Sequence, residues 1–286
     1  MNGALHTLPP LEAGTRALVL GLGRTGLSCA RYLRRKGLEV RVADTRSVPP
    51  GAAALREQVP DAELCVGAFA SSLLDGVAQV LISPGLSLRE PIAAEAARRG
   101  LPVVGDIELF AREASAPVAA ITGTNGKSTV TALLAEVANA AGRTTVAGGN
   151  LGEPALDLLE HPVPQLYALE LSSFQLETTH TLATATATVL NVTPDHLDRY
   201  DSLEDYAAAK ARIFDGCKTA VVNADDARVR NMPRDGQRVI TFSLLDAAAD
   251  YFLARAPEPM LTCRGEMLMP VAAMRLQGEH NAANAL

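Results

Sequence analysis

Ile121-Thr122-Gly123-Thr124-Asn125-Gly126-Lys127-Ser128-Thr129 places a glycine-framed Lys-Ser pair between a strand-like run and a helix-like run. The run of residues 116–121 is short, apolar and β-branched near its end, whereas residues 130–141 are rich in Ala and Leu at helical spacing. A loop between such elements directs backbone N–H groups and the positive end of a helix towards an anion. The stretch therefore predicts a nucleotide-phosphate loop, with Lys127 at the β- and γ-phosphates and the Ser128 hydroxyl free to ligate a Mg²⁺ carried by the nucleotide.

The loop differs from the common phosphate-loop pattern at Ile121, five residues before Gly126, where that pattern has glycine. A tight glycine turn that carries an exposed lysine is the alternative. The form Thr-Gly-Thr-Asn-Gly-Lys-Ser-Thr resembles the phosphate loop of the Mur ligases and their folylpolyglutamate synthase relatives, which are ATP-dependent enzymes that make amide bonds. The resemblance implies ATP contacts from consecutive loop residues, namely Gly123, Thr124, Asn125, Gly126, Lys127, Ser128 and Thr129.

Composition limits the classes of protein that this sequence fits. At 286 residues and 48% hydrophobic content the chain can bury an ample core, and its length suggests two domains. The net charge is −6 and the sequence pI is near 5.4, so nucleic acid is not an expected partner. The dense basic run at residues 31–36 has helical spacing and is typical of a solvated helix face.

Cysteine spacing and the N-terminus indicate the compartment. The four cysteines lie far apart without a C-x-x-C pair, which signals neither a zinc site nor a redox motif and favours reduced thiols. Residues 1–10 have neither the basic start nor the apolar core of a signal peptide, and no apolar run elsewhere is long enough to cross a bilayer. We expect a soluble, cytoplasmic protein without membrane insertion.

Short apolar runs alternate with helix-like stretches along the chain, the order expected of doubly wound parallel sheets. The fold class is therefore predicted to be α/β, with a boundary near Gly105 that separates a domain of residues 1–105 from a domain of residues 106–286. The predicted strands are residues 17–20, 38–43, 77–82, 118–121, 166–169, 186–192 and 220–223. The predicted helices are residues 27–35, 105–113, 130–141 and 206–214, with a further helix that begins near Asn281.

A second glycine loop follows the first predicted strand. Gly21-Leu-Gly23-Arg-Thr-Gly26 fits G-x-G-x-x-G, and Asp44 closes the second strand, where a carboxylate could bond a ribose hydroxyl. Taken alone, this motif favours an NAD-dependent oxidoreductase, and a non-catalytic nucleotide-binding module is a third interpretation. The loop at residues 121–129 and the candidate metal ligands count against both.

The first domain also resembles the D-glutamate-adding branch of the Mur ligase family. The matching stretches are residues 21–29, 43–46, 83–85 and 105–110. In that branch the glycine loop and the residues after the second strand hold the UDP portion of the substrate, and a helix N-terminus suits its phosphates. In the alternative, the glycines only allow close helix packing and Asp44 only caps. The resemblance assigns uridine and diphosphate contacts to Arg24, Thr25, Gly26, Asp44, Thr45, Arg46, Ser83 and Gly85.

Glu170 follows the strand predicted at residues 166–169, at the carboxyl end where ligands gather in open α/β sheets. Together with Ser128 and the nucleotide phosphates, this carboxylate could bind Mg²⁺, which prefers hard oxygen ligands. A helix cap is the alternative for an acid at a strand end.

Residues 170–177 and 190–200 match the same branch of the family. The resemblance implies that His196 binds a second Mg²⁺. A single histidine after a strand is, however, more often a structural hydrogen-bond partner. It makes Lys210 a carbamylated lysine that helps His196 hold this metal, whereas an exposed helix-forming lysine is the alternative. Carbamylation requires a neutral amine, hence a lysine whose pKa is lowered by burial or by a nearby cation. His180 matches no motif and is expected to be an ordinary surface residue.

Three asparagines complete the candidate site. Asn150 matches a family position that contacts the sugar-peptide substrate, and Asn281 and Asn284 lie in a segment that resembles one whose asparagines meet adenine. Amide side chains can read that base because they present a donor and an acceptor together. Helix capping is the alternative for these asparagines.

The resemblance implies a Rossmann-like first domain, a P-loop ATPase-like central α/β domain and a reaction in two steps. ATP would phosphorylate the free carboxylate of UDP-N-acetylmuramoyl-L-alanine, and the amine of D-glutamate would attack the acyl phosphate. Lys127, the loop amides and two Mg²⁺ ions would stabilise the charge on the moving phosphoryl group. Family members have a third, C-terminal domain that binds the incoming amino acid, so we expect this sequence, which stops at Leu286, to be truncated and inactive in full ligation.

Overall fold

The computed structural model describes residues 12–286, which form two compact units. The N-terminal ten residues, on which the signal-peptide prediction rests, lie outside the described range. No helix in residues 12–286 is both long and apolar enough to span a membrane. The first unit comprises the described residues up to Ala114 with Glu153–Pro162 and Glu177–Leu182, and the second comprises Ser115–Gly152, Val163–Leu176 and Ala183–Leu286.

Strands and helices alternate along most of the chain, as predicted for an α/β protein. The strands are β1 (Arg16–Leu20), β2 (Glu39–Asp44), β3 (Glu63–Val66), β4 (Val77–Ile82), β5 (Val103–Val104), β6 (Val118–Thr122), β7 (Thr145–Gly149), β8 (Leu166–Glu170), β9 (Thr186–Val189), β10 (Thr219–Asn223), β11 (Arg238–Ser243), β12 (Tyr251–Ala254), β13 (Met260–Cys263) and β14 (Glu266–Pro270). The α-helices are α1 (Arg24–Arg35), α2 (Ala52–Gln58), α3 (Pro91–Arg98), α4 (Asp106–Glu113), α5 (Lys127–Ala140), α6 (Ala155–Leu158), α7 (Ser173–Glu177), α8 (Leu203–Ala211) and α9 (Glu279–Ala285).

The first unit contains a five-stranded parallel sheet in the order β3-β2-β1-β4-β5. Residues 17–20 of β1 are buried, because a central parallel strand is covered on both faces, and this explains their unbroken apolar run. Leu20 pairs with Ala43 on one side and with Ile82 on the other. The residues that follow β1, β2 and β4 therefore emerge at the same edge of the sheet.

The second unit contains a nine-stranded sheet in the order β14-β13-β12-β11-β10-β9-β6-β8-β7. Neighbouring strands from β7 to β12 are parallel, and β13 and β14 add an antiparallel edge. From β6 the chain passes to β7 at the sheet edge, returns to β8, and then crosses to β9 on the other side of β6. The carboxyl end of β6 is therefore a topological switch point, where ligands bind in open α/β sheets.

Most predicted elements are present, but several of their ends differ. The strand predicted at residues 186–192 is too long, since β9 ends at Val189 and the following residues bond the loop after β6 instead. The helix predicted at residues 206–214 begins at Leu203, because Ser202 caps it by accepting the N–H of Asp205. The antiparallel edge formed by β13 and β14 was not predicted.

Candidate functional site

The loop predicted to bind phosphate connects β6 to α5 at the switch point of the second sheet. Gly126 precedes α5 in a left-handed conformation, with φ of 85°. The left-handed backbone favours glycine here, and a Cβ atom would lie 2.7 Å from the Asn284 Oδ1 atom, so the Asn284 side chain would have to shift. The helix begins at Lys127 without a side-chain cap, which leaves the N–H groups of its first turn without intrahelical acceptors. The loop thus offers backbone donors and the helix dipole to an anion.

Lys127 and Lys210 meet at one carbonyl oxygen of this loop. The Lys127 Nζ atom donates to the Gly123 oxygen at 3.0 Å and to the Thr124 oxygen at 2.9 Å. The Lys210 Nζ atom donates to the same Gly123 oxygen at 2.9 Å, and its side chain is 1% exposed, so the alternative of an exposed helix lysine is wrong. Burial, assisted by the charge of Lys127 and opposed by that of Asp195, lowers the pKa of Lys210 from 10.5 to about 7. Its neutral amine is therefore well populated at neutral pH.

Aromatic side chains contact both His196 and Lys210. The centroid of the His196 ring lies 5.0 Å from that of Phe174 and 6.0 Å from that of Tyr206. The Lys210 Nζ atom lies 4.5 Å from the centroid of the Tyr206 ring, so the two predicted metal ligands contact the same tyrosine. The His196 Nε2 atom also lies 3.6 Å from the Asp195 Oδ2 atom, and the backbone of His196 has a left-handed φ of 52°.

Glu170 lies beside the phosphate loop because of the strand register. It pairs with Ile121 across β8 and β6, next to the start of the loop. Its side chain is buried, and its Oε1 atom accepts a hydrogen bond from the Nδ2 atom of Asn150 at 2.8 Å. The helix-cap alternative is wrong for Glu170, because Ser172 accepts the N–H of Gln175 at the start of α7.

The side chains near the loop suit a magnesium ion that also binds oxygen atoms from a nucleotide. Within residues 12–286, no group of three or more His, Cys, Asp and Glu side chains is arranged to hold a metal. Ser128 is exposed at the start of α5, and the Oε2 atom of Glu170 accepts no hydrogen bond from the described residues. A hydroxyl and a carboxylate oxygen are hard donors, and phosphate oxygens would complete a shell of the kind that Mg²⁺ prefers.

The two C-terminal asparagines line a cavity of about 530 Å³ that reaches the phosphate loop at Gly126. The Asn284 Nδ2 atom donates to the Asn281 Oδ1 atom at 3.2 Å, and Asn281 Nδ2 donates to the Gln277 oxygen at 2.9 Å. Asn281 therefore does not cap α9, which begins after Gly278 without a side-chain cap. The polar lining of the cavity comes mainly from Asn125, Asn191, Asn223, His280, Asn281 and Asn284.

In the first unit, the loop between β1 and α1 is closely packed. A Cβ atom on Gly26 would lie 1.8 Å from the Gly21 carbonyl oxygen, to which the Ser83 Oγ atom donates at 3.0 Å. Close helix packing, the alternative role of this glycine, is therefore present. Arg24 and Thr25 occupy the first turn of α1, and Gly85 lies in the exposed segment after β4.

Asp44 is buried and uses both carboxylate oxygens within the protein. Oδ2 accepts from the Leu22 N–H at 2.7 Å and from Arg46 Nη2 at 2.6 Å, while Oδ1 accepts from the N–H and the Nε of Arg46. Hydrogen bonding to Arg46 lowers the pKa of Asp44 to about 2. Because a carboxylate has about four lone-pair sites, a ribose hydroxyl would have to replace one of the Arg46 donors. Thr45 and Arg46 are exposed beside it.

His180 and Asn191 lie outside the two glycine loops in sequence. His180 is exposed, as predicted, and its backbone N–H donates to the Oε2 atom of buried Glu108 at 2.7 Å. Asn191 is a candidate that sequence reasoning missed, because the strand predicted at residues 186–192 enclosed it, whereas β9 ends at Val189. Its backbone oxygen accepts the Thr124 N–H at 2.9 Å.

Two family models match the chain. One, described as the Mur ligase middle domain, matches residues 121–286, and the other, described as the Mur ligase MurD-like, N-terminal domain, matches residues 15–105. The fold prediction of a Rossmann-like unit followed by a P-loop ATPase-like α/β unit is thus confirmed.

Curated relatives extend the similarity along nearly the whole sequence. UDP-N-acetylmuramoylalanine--D-glutamate ligase of Nitrosococcus oceani is 53% identical over 281 residues, which are 98% of this chain and 62% of that protein. The enzyme of the same name from Pseudomonas aeruginosa is 47% identical over 271 residues, which are 94% of this chain and 60% of that protein. The chain therefore spans about three fifths of the length of the curated relatives that it matches.

A solved structure has the same fold. UDP-N-acetylmuramate:L-alanyl-gamma-D-glutamyl-meso-diaminopimelate ligase from Neisseria meningitides superposes with a TM-score of 0.65 at 19% identity, covering 96% of this chain and 91% of that chain. At this identity the likeness concerns the fold alone.

Proposed function

The chain belongs to the Mur ligase family, and we propose that it carries the UDP-substrate and ATP sites of a ligase that adds D-glutamate to UDP-N-acetylmuramoyl-L-alanine in peptidoglycan precursor synthesis. Relatives at 53% and 47% identity carry the name of this ligase, which supports the choice of substrates. All four cysteines are free, which supports a reducing compartment such as the cytoplasm.

One observation carries the proposal: Lys127 and the buried Lys210 donate to the same carbonyl oxygen of a glycine loop at the sheet's switch point. A phosphate loop alone suits many nucleotide-binding proteins. A second lysine beside it, buried and with a lowered pKa, instead suits a site in which the amine is used chemically.

In the proposed reaction, a carboxylate oxygen of the alanyl group attacks the γ-phosphorus of ATP, and ADP leaves. The amine of D-glutamate then attacks the acyl carbon, phosphate leaves, the amine loses a proton, and an amide remains. Lys127 moves from the Gly123 carbonyl to the β- and γ-phosphates, and the N–H groups of residues 126–129 bind phosphate oxygens. Positioned positive charge therefore replaces any need for a side-chain nucleophile.

Magnesium is the cofactor that these residues fit. Ser128 and Glu170 would hold one ion, and His196 with a carbamate on Lys210 would hold a second. Bound Mg²⁺ supplies positive charge that neutralises the phosphoryl oxygens during transfer. Carbamylation joins the neutral Lys210 amine to CO₂ with loss of a proton, which converts a nitrogen donor into an anionic oxygen ligand.

The remaining candidates bind the rest of the two nucleotides. Asn281 and Asn284 are proposed to read adenine in the cavity beside Gly126, and Asn150, held by Glu170, is proposed to contact the sugar-peptide part of the substrate. In the first unit, the uridine and diphosphate contacts are assigned to Arg24, Thr25, Gly26, Asp44, Thr45, Arg46, Ser83 and Gly85.

Calorimetric titration of Lys127→Ala tests the proposal. We expect the affinity for Mg·ATP to fall by about tenfold, because a charge-assisted contact is lost, while the affinity for UDP-N-acetylmuramoyl-L-alanine stays unchanged. Lys218→Ala, which removes an exposed lysine, is the matched control and should retain both affinities. Equal weakening of both ligands by Lys127→Ala contradicts the assigned role.

A further inference from the structure

The side chain of Asn191 forms a reciprocal pair of hydrogen bonds with the backbone of Asn125 in the phosphate loop. The Asn125 N–H donates to Asn191 Oδ1 at 2.8 Å, and Asn191 Nδ2 donates to the Asn125 oxygen at 3.1 Å. The backbone oxygen of Asn191 also accepts the N–H of Thr124 at 2.9 Å. One residue outside the loop therefore makes three hydrogen bonds to two adjacent loop residues.

The segment that carries Asn191 is itself fixed to the sheet. Asn223, at the end of β10, donates from its Nδ2 atom to the Leu190 oxygen at 2.8 Å. Asp226 accepts the Val192 N–H at 2.9 Å through Oδ2. Bonds on both sides of Asn191 therefore hold its backbone, so its amide can act as a fixed template for the loop.

This template divides the loop amides into two groups. The N–H groups of Thr124 and Asn125 are directed to Asn191, and they are not available to a phosphate in this arrangement. The N–H groups of residues 126–129 lie at the start of α5, where helix geometry provides no acceptor. A bound phosphate would therefore meet the N–H groups of residues 126–129. The orientation of these N–H groups depends on where Asn191 holds Thr124 and Asn125.

We propose that Asn191 is a positioning residue that holds the phosphate loop ready for the triphosphate of ATP. The inference rests on the proposed function only in taking ATP as the ligand of this loop. Preorganised donors bind an anion without first paying the entropy of ordering the loop. Loss of the Asn191 amide should therefore weaken phosphate binding without removing any group that touches the nucleotide phosphates.

The same chain offers a matched control at the other end of α5. Asn139 forms the same reciprocal pair with Thr145, whose N–H donates to Asn139 Oδ1 at 2.9 Å and whose oxygen accepts from Asn139 Nδ2 at 3.0 Å. Asn139→Ala and Asn191→Ala remove the same chemistry from two backbone sites. Only the second site belongs to the phosphate loop.

The test measures binding of Mg·ATP and of inorganic triphosphate to the wild type and to both variants, with thermal unfolding as a check of folding. We expect Asn191→Ala to weaken both ligands by about tenfold, through the loss of two hydrogen bonds, and Asn139→Ala to bind both as the wild type does. If Asn191→Ala does not fold, Asn191→Ser carries the same prediction, since its hydroxyl is too short to form the reciprocal pair.

Unchanged triphosphate affinity in a folded Asn191 variant overturns the inference, as does equal weakening by Asn139→Ala. A wild type that binds neither ligand overturns the proposed function and the inference together. Weakening of ATP without weakening of inorganic triphosphate also contradicts the inference, because it places the effect at the base and not at the phosphates.

Discussion

Lys127 and Lys210 share the carbonyl oxygen of Gly123 as an acceptor, at 3.0 Å and 2.9 Å respectively. Two amino groups therefore lie within hydrogen-bond reach of one atom, and one of them is almost fully buried. The low pKa of Lys210 follows first from burial and second from the charge of Lys127. We therefore expect Lys210 to affect the pH dependence of folding stability and to have a reactive amine.

The first prediction concerns stability and pH. Between about pH 7 and pH 10.5 the unfolded chain holds a proton on Lys210 that the folded protein lacks, so this group makes folding stability rise with pH across that window. The slope is roughly 1.4 kcal/mol per pH unit, and the contribution is constant below pH 7. Urea unfolding in CO₂-free buffer should show that Lys210→Met loses this slope, whereas Lys218→Met keeps it. Parallel stability curves for the wild type and Lys210→Met contradict the assignment.

The second prediction concerns carbamylation. The chain has four lysines, so a carbamate formed from ¹³C-labelled bicarbonate can be assigned by substitution. We expect a carbamate carbon signal in the wild type at slightly alkaline pH, where Lys210 is neutral, and its loss in Lys210→Met. The exposed Lys218 provides the control, since Lys218→Met should retain the signal. A carbamate signal that survives in Lys210→Met would assign the modification to another amine.

The third prediction concerns the glycine loop of the first unit. Gly26→Ala places a Cβ atom 1.8 Å from the Gly21 oxygen, and the backbone must move to relieve the clash. We expect a loss of roughly 1–3 kcal/mol in the free energy of unfolding, although Ala ordinarily stabilises a helix relative to Gly. Gly23→Ala is the control, because nothing lies within 4 Å of its Cβ position. Chemical denaturation that gives equal stability for Gly26→Ala and the wild type would show that the loop is not packed as described.

Sequence patterns predicted the elements that have strong periodicity or glycine punctuation. The strand before Gly123, the helix after it and the placement of Glu170 at a strand end were all confirmed, because each depends on local residue types. The environment of Lys210 was not predictable, since a lysine in an Ala-rich helix has the same local pattern whether it is buried or exposed. Lys210 is buried beside Gly123, which is distant in sequence, and beside Tyr206, which precedes it by four residues in α8.

Contacts between residues far apart in sequence explain two further features that the sequence patterns did not predict. Glu108 accepts the N–H groups of His180 and Thr181, and such contacts place the late segment Glu177–Leu182 in the first unit. No periodicity reveals a pairing across this separation. The role of Asn191 was missed for the same reason, because three crossovers of the sheet separate it from its partner Asn125.

Ligand-induced thermal stabilisation distinguishes a UDP-substrate site in the first unit from a dinucleotide site. A ligand present at about 100 times its dissociation constant adds roughly 2.7 kcal/mol to folding stability, which a melting experiment resolves readily. We predict that UDP-N-acetylmuramoyl-L-alanine raises the unfolding temperature of the protein and that NAD does not. Stabilisation by NAD with none from the UDP substrate would instead make the first unit the cofactor domain of an oxidoreductase.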